Sequence, residues 1–357
     1  MYKNQHASNE LKIKQVACGQ NHSLILLDSG RVFAMGSNQH KQLGLFAQSN
    51  YFTPTEIVNI EPIDHLSVGF AHSLLLSKNK TLWAMGSNSD KQLAFKEDSP
   101  EQLSLQKVSH LAAITQIIAT DFTSAILEGQ SIIHRFGIPA LKPHRLLNDK
   151  LCLLPDWVVM PENFNVVDIS VAQRHALLLT TEGEVYGLGS NEYGLLGLGD
   201  VPSCETWTKL DLPCAKHIKA TSLGSVVLTL NHALMVSGIN SYQQFSSAHT
   251  RKIIPQFETL ASGVSTFDAY DSHTLYVAAN QLFALGCNDK GQLGLGELNG
   301  QKTALAALKP FILAKPVIDT HMQTQIKKPE LAFFMASKDK MITPEEEEQD
   351  LAWENSL

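Results

Sequence analysis

Four histidines, His22, His72, His175 and His273, and two aspartates, Asp121 and Asp271, are the residues of this chain whose type and spacing invite a chemical reading. With Thr123 and Gly224 at the equivalent places, the histidine positions follow one another at 50, 51, 52, 49 and 49 residues. Each is followed thirteen or fourteen residues later by a glycine: Gly36, Gly86, Gly137, Gly189, Gly238 and Gly286. A histidine that recurs at one place in each copy of a repeat is better read as hydrogen-bonding a neighbouring loop than as an acid or base. Asp121 and Asp271 each stand two residues before a histidine position, where a carboxylate can cap its own turn or face a ligand.

Covalent and cofactor chemistry have no legible constellation. Gly-x-Ser-x-Gly and Gly-x-x-x-x-Gly-Lys-Ser/Thr do not occur, and Gly-Leu-Gly-Ser at 187–190 ends a strand instead of opening a helix. The five cysteines, Cys18, Cys152, Cys204, Cys214 and Cys287, form no Cys-x-x-Cys pair, and an odd number cannot all pair within one molecule. This usage fits a reducing, cytoplasmic compartment. Cys204, Cys214 and His217 offer one loose pair where a structural metal takes two close ones, so neither metal nor cofactor is expected. A formal charge of −7 without clustered Lys and Arg argues against nucleic acid as a partner. No stretch of eighteen apolar residues occurs, and residues 1–9 lack the apolar run of a secretory signal, so a soluble monomer without a membrane segment is expected.

The elements that would position these residues are short. Apolar runs such as 24–27 and 32–35 are too brief for helices, and Asp28-Ser29-Gly30 between them suits a hairpin turn. Segments ahead of each histidine, such as 63–68 and 167–171, supply another strand, and proline-led segments at 54–58 and 310–313 a fourth. Gly-Ser-Asn recurs at 36–38, 86–88 and 189–191, with Gly-Ile-Asn at 238–240 and Gly-Cys-Asn at 286–288, where the asparagine can satisfy turn amides. Four short strands per fifty residues predict radial sheets closed into a ring.

The pattern Gly-x-x-His-Ser, a hairpin, an aromatic-containing strand ending in Gly-x-Asn, then Gly-Gln-Leu-Gly resembles the repeat of the regulator-of-chromosome-condensation family. Residues 19–45, 69–94, 172–198 and 270–295 carry it. The resemblance implies an all-β, seven-bladed propeller of four-stranded antiparallel blades over 11–342, after a polar segment at 1–10 and before an acidic tail at 343–357. The seventh copy is expected from 317–319, 331–336 and 340–342, with the two ends of the chain meeting in one blade. The alternative is six blades with the last sixty residues packed elsewhere. Family members bind proteins through loops on one face, and the founding type accelerates nucleotide exchange on the GTPase Ran. A small GTPase, Ran-like or Rab-like, is therefore the implied partner. Asp121 and Asp271-Ser272-His273 match the family's GTPase-facing positions, and Gln20, Asn21, Phe70, Gln173 and Arg174 occupy the corresponding loops. Two departures stand out: Ile138-Pro139-Ala140 follows Gly137 where Asn and Gly-Gln-Leu-Gly would stand, and the N-terminus lacks a basic run. A non-catalytic adaptor is the alternative function.

Thr343 as N-cap, Pro344 at the first helical position and Glu345 to Glu348 at the positive end of the dipole predict a short acidic helix. This block also resembles the translocation signal of type IV secreted effectors of intracellular bacteria, which would place the chain in a host cytosol. Glu354-Asn355-Ser356-Leu357 is not a Cys-a-a-X motif, so prenylation is not expected.

Overall fold

Short apolar runs joined by short turns pair with their sequence neighbours, because antiparallel strands need only a tight connection. The computed structural model describes residues 12–46, 48–95, 102–137, 142–147, 150–155, 158–161, 164–245, 251–296 and 306–307. Blade 1 comprises β1 (Ile13–Cys18), β2 (His22–Leu27), β3 (Val32–Ser37) and β4 (Asn50–Ile57), hydrogen-bonded in that order. Blade 2 repeats this with β5 (Ile63–Val68), β6 (His72–Ser77), β7 (Leu82–Ser87) and β8 (Gln102–Val108). Blade 3 holds β9 (Ile114–Ala119), β10 (Thr123–Glu128) and β11 (Ile132–Gly137), and is followed by a separate hairpin, β12 (Lys142–Leu147) and β13 (Lys150–Leu154). Blade 4 is β14 (Val166–Val171), β15 (His175–Thr180), β16 (Val185–Ser190) and β17 (Ser203–Lys209). Blade 5 is β18 (Ala215–Thr221), β19 (Gly224–Thr229), β20 (Leu234–Ile239) and β21 (Ile253–Ala261). Blade 6 is β22 (Val264–Tyr270), β23 (His273–Ala278), β24 (Gln281–Gly286) and β25 (Ala306–Ala307). Among the described residues the only helical turn is the 3-10 turn Glu192–Gly194.

The second strands β2, β6, β15 and β19 are buried along their whole length, as strands covered by a sheet on each side must be. Ile25, Phe33 and Met35 of blade 1 pack with Leu275, Val277 and Leu282 of blade 6. Leu24 and Leu26 pack with Leu66, Leu75 and Met85 of blade 2. The core therefore lies between blades. In every blade but the third, the loop after the third strand is folded by an asparagine: Asn38 Oδ1 accepts from Leu43 N at 3.0 Å, and Asn88, Asn191, Asn240 and Asn288 do the same for the residue five ahead. Gly36, at φ 102°, admits no side chain, since a Cβ would lie 2.4 Å from Asn21 O.

The ring closes with six blades, not seven. His273 Nε2 meets Ser23 Oγ at 2.9 Å, Cys18 N donates to Asp268 Oδ2 at 2.8 Å, and β22 and β23 pack on β1. Blade 6 thus occupies the flank of blade 1 that a seventh blade would need. Among the described residues the chain ends do not share a blade: blade 1 is built from 13–57, and blade 6 takes β25 as its own fourth strand. Among the described residues blade 3 has three strands instead of the expected four. The segments 317–319, 331–336 and 340–342, and the expected acidic helix from Thr343, lie outside the described residues.

Candidate functional site

Because strands alternate in direction, the loop before each second strand and the loop after each third strand emerge at the same end of every blade. That end forms one mouth of the ring. Its inner edge is made by the residues two before each histidine position: Gln20, Phe70, Asp121, Gln173, Ser222 and Asp271. Three of them are tied by backbone: Gln20 N donates to Phe70 O and Phe70 N to Asp121 O, each at 3.2 Å. This approach is close enough to require glycine one residue earlier, since a Cβ on Gly69 would lie 2.0 Å from Thr120 O. Between blades 5 and 6 a side chain replaces the carbonyl, and Ser222 N donates to Asp271 Oδ1 at 2.7 Å. Ser272 Oγ donates to Gln20 O at 3.4 Å.

The structure therefore brings Asp271, Gln20, Phe70 and Asp121 together around the mouth, with Asn21 beside Gln20. Gln173 and Arg174 are exposed on blade 4, where Arg174 pairs with Glu192 at 3.0 Å and lies over the Tyr193 ring. His273 is placed elsewhere, fully buried in the seam between blades 6 and 1.

Several contributors escaped the sequence reading. Tyr270 of blade 6 donates its hydroxyl to Asp121 Oδ1 of blade 3, across the mouth. Phe122, 41% exposed, stacks on Phe70 with centroids 5.2 Å apart. Tyr193 and Tyr242 are exposed at matching loop positions, two residues past Asn191 and Asn240. Register marks the position of Tyr270, where copies one and two have Gly19 and Gly69, but not its bond to Asp121.

Charge at the mouth is shaped by burial. Desolvation raises the carboxyl of Asp271, with the Asp121 charge adding to the effect and the hydrogen bond from Ser222 opposing it. Desolvation, reinforced by Asp121, also raises the Tyr270 phenol, which therefore stays a donor. Beneath them Lys219 Nζ holds Asp268 Oδ1 at 2.9 Å; burial disfavours the ammonium, but that carboxylate outweighs it and the lysine stays charged.

The histidines form a buried belt under the mouth. His22 Nε2 meets Ser73 Oγ at 3.0 Å, His72 meets Ser124 at 2.9 Å and His175 meets Ser225 at 2.9 Å, each link joining one blade to the next. Ser73, Ser225 and Ser23 give their one proton to the carbonyls of Gln42, Leu195 and Gln292, so the imidazole Nε2–H must be the donor. Desolvation lowers His22 and His72 to about 3 and His175 and His273 to about 4, leaving neutral rings. Such a serine is neither exposed nor activated, so these pairs do not constitute a nucleophile and base. Among the described residues no group of three His, Cys, Asp or Glu side chains could hold a metal ion. No helix among them is long and apolar enough to cross a membrane.

Residues 13–42, 63–92 and 166–195 match the family described as Regulator of chromosome condensation (RCC1) repeat, as do residues 29–76. The chain is 28% identical over 205 residues to the ultraviolet-B receptor UVR8 of Arabidopsis thaliana, covering 54% of this chain and 45% of that protein. It is 28% identical over 206 residues to the regulator of chromosome condensation of Drosophila melanogaster, covering 52% and 37%. To the probable E3 ubiquitin-protein ligase HERC3 of Homo sapiens it is 31% identical over 311 residues, covering 81% and 28%. The chain thus spans less than half the length of these relatives. Yeast RCC1 (Prp20), solved with Kap60, superposes with a TM-score of 0.52 at 19% identity over 83% of this chain and 75% of that one. Human WBSCR16 superposes at 0.50 and 20% identity, over 82% and 81%. These two likenesses bear on the fold alone.

Proposed function

This chain is a member of the regulator of chromosome condensation (RCC1) repeat family, and from that premise we propose that it binds another protein through the mouth face, the partner being a small GTPase of Ran-like or Rab-like type. The observation that carries the reading is the hydrogen-bonded rim that holds Asp121 beside the Phe70 and Phe122 pair and ties Asp271 to Ser222. Rigidly held aromatic and charged groups on loops are what protein recognition uses. The structure of yeast RCC1 with Kap60 supports protein binding as a use of this fold.

Nucleotide exchange on such a partner needs no covalent catalyst. A face that binds the nucleotide-free GTPase more tightly than the loaded one weakens nucleotide binding by the same factor. A mouth carboxylate would contribute by attracting the basic groups that otherwise hold the phosphates. The test is release of fluorescent GDP from a panel of Ran-like and Rab-like GTPases, with Asp121→Ala and Asp271→Ala beside the wild type. Acceleration that both substitutions reduce supports exchange, and no acceleration with any GTPase removes it.

A second reading, a non-catalytic adaptor, is favoured by blade 3. Its Gly137 is followed by Ile138 instead of the usual Asn motif, and its sheet has three strands. Capture with the whole chain separates the two: a GTPase retained preferentially without nucleotide supports exchange, and a GTPase retained equally in either state supports the adaptor. Delivery into a host cell rests on the glutamate block at 345–348 alone, and a translocation reporter carrying those glutamates as alanines tests it.

A further inference from the structure

At the inner edge of the mouth a stacked aromatic pair adjoins a carboxylate. Phe70 of blade 2 and Phe122 of blade 3 stack with centroids 5.2 Å apart, and Phe122 keeps 41% of its surface exposed. Asp121 precedes Phe122 in the chain, and its main-chain oxygen accepts from Phe70 N at 3.2 Å. The carboxylate and both rings are thus fixed by one short stretch of paired backbone. Together they offer a flat apolar face and an anion that a single long side chain can meet at once.

The charge around them is unbalanced. Asp121 and Asp271 are the only charged residues among the six of the inner edge. Lys219 beneath is held by Asp268 at 2.9 Å, so that pair cancels, and Arg174 on blade 4 is paired with Glu192. The inner edge therefore carries two negative charges, with Asp121 close enough to disfavour the ionisation of Asp271. A cation brought to this edge would meet attraction from both.

Tyr270 shows what kind of group the Asp121 carboxylate takes. Three residues before the histidine position the other blades carry Gly19, Gly69, Thr120, Ala172 and Thr221, all too short to cross the ring. Blade 6 carries Tyr270, whose hydroxyl reaches over from the opposite side and donates to Asp121 Oδ1. A phenol supplies one neutral hydrogen bond. A guanidinium supplies two parallel N–H donors, the opposite charge and a plane that stacks on aromatic rings. We propose that the mouth holds a site for an arginine side chain of a protein partner, the guanidinium on the Asp121 carboxylate and against the Phe122 ring, and that the Tyr270 hydroxyl is the internal competitor that yields Asp121 to it. Because the tyrosine must let go, the site selects: a neutral side chain does not offset the bond it breaks, and a guanidinium does. The site rests on the mouth being the binding face, as proposed above, and on no property of a GTPase.

Saturation-transfer NMR on the full chain with the peptide acetyl-Gly-Arg-Gly-amide, beside the same peptide carrying citrulline, tests it. Citrulline keeps the shape of arginine and loses the charge. The arginine peptide should bind about tenfold more tightly, and Asp121→Asn should abolish that preference. Asp271→Asn lowers the charge of the mouth equally but should weaken binding only about twofold, because it acts through the field alone. Phe122→Ala should weaken it about twofold to fivefold. Tyr270→Phe, which removes only the hydroxyl, should tighten it several-fold, because Asp121 is then always available. Arginine and citrulline peptides that bind alike, equal losses from the two aspartate variants, or a Tyr270→Phe protein that binds no better than wild type overturns the proposal. Should Phe122→Ala fail to fold, the isosteric Asp121→Asn and Tyr270→Phe decide. A GTPase bound at the mouth but indifferent to both isosteric variants would remove the arginine site alone, whereas arginine binding without any GTPase binding would remove the GTPase alone.

Discussion

The buried belt of histidines and the mouth above it are two residues apart in the same repeat, yet they follow opposite rules. In the belt one residue type returns wherever its partner returns: His22, His72, His175 and His273 each face a serine of the next blade. In the mouth six copies hold Gln20, Phe70, Asp121, Gln173, Ser222 and Asp271, four residue types among six positions with none more than twice. A fully buried polar atom must find a defined partner, so its identity is set by the neighbouring blade. A side chain at the mouth can be satisfied by water, and its identity is left to whatever the face recognises. The comparison teaches that repetition marks scaffold and variation marks the recognition surface.

Acid should break the belt before anything else. The four belt histidines titrate near 6.5 when unfolded and at about 3 to 4 when folded. Because the folded value is the lower one, their contribution is complete above pH 6.5 and declines as protons bind the unfolded chain. At pH 5 the loss is about 2 kcal/mol per histidine, on the order of 8 kcal/mol for four, comparable to the whole stability of a domain. Urea unfolding at pH 7 and pH 5 measures it, and a midpoint unchanged between the two would contradict the buried neutral belt.

A single cut should cost less. His72→Ala removes a buried ring and the bond to Ser124, and is expected to destabilise by about 2–4 kcal/mol by chemical denaturation. The same experiment on Gln173→Ala, exposed at the mouth, should give less than about 0.5 kcal/mol. Equal losses would erase the distinction between belt and mouth.

Repairing the belt sharpens the comparison further. At the junction of blades 5 and 6 the histidine is Gly224, the serine is Thr274, and Thr274 Oγ1 is buried without a hydrogen-bond partner. A Cβ on Gly224 would stand 2.1 Å from the backbone oxygen of Ser237 and 2.6 Å from Phe245 Cε2. Gly224→His alone should therefore destabilise by overpacking, and Phe245→Leu with Thr274→Ser beside it should restore only part of the loss, because the Ser237 carbonyl still blocks the Cβ. Thermal melts of the single and triple variants test this, and a triple variant as stable as the wild type would show that the backbone at Ser237 yields to a side chain.

Much of this was legible in the residues. The belt and the asparagine-folded loops recur because each is a hydrogen-bonding solution worked out within one or two blades, and the spacing of about fifty exposes them. Tyr270 was not legible in the same way, since nothing near it in sequence foretells a bond to Asp121, 149 residues away. Thr274 likewise makes sense only against Gly224 of the neighbouring blade.

What the amino-acid order determined by itself was the unit: strand lengths, turns, the glycines that admit close backbone and the polar residues that tie a loop. These are local, and short-range sterics and hydrogen bonding suffice to specify them. The number of units in the ring was decided by tertiary structure, because closure depends on how each pair of blades packs and on the angle that packing leaves. When Leu275 and Val277 meet Ile13 and Val16, the circle is complete at six, whatever residues the chain still holds in reserve.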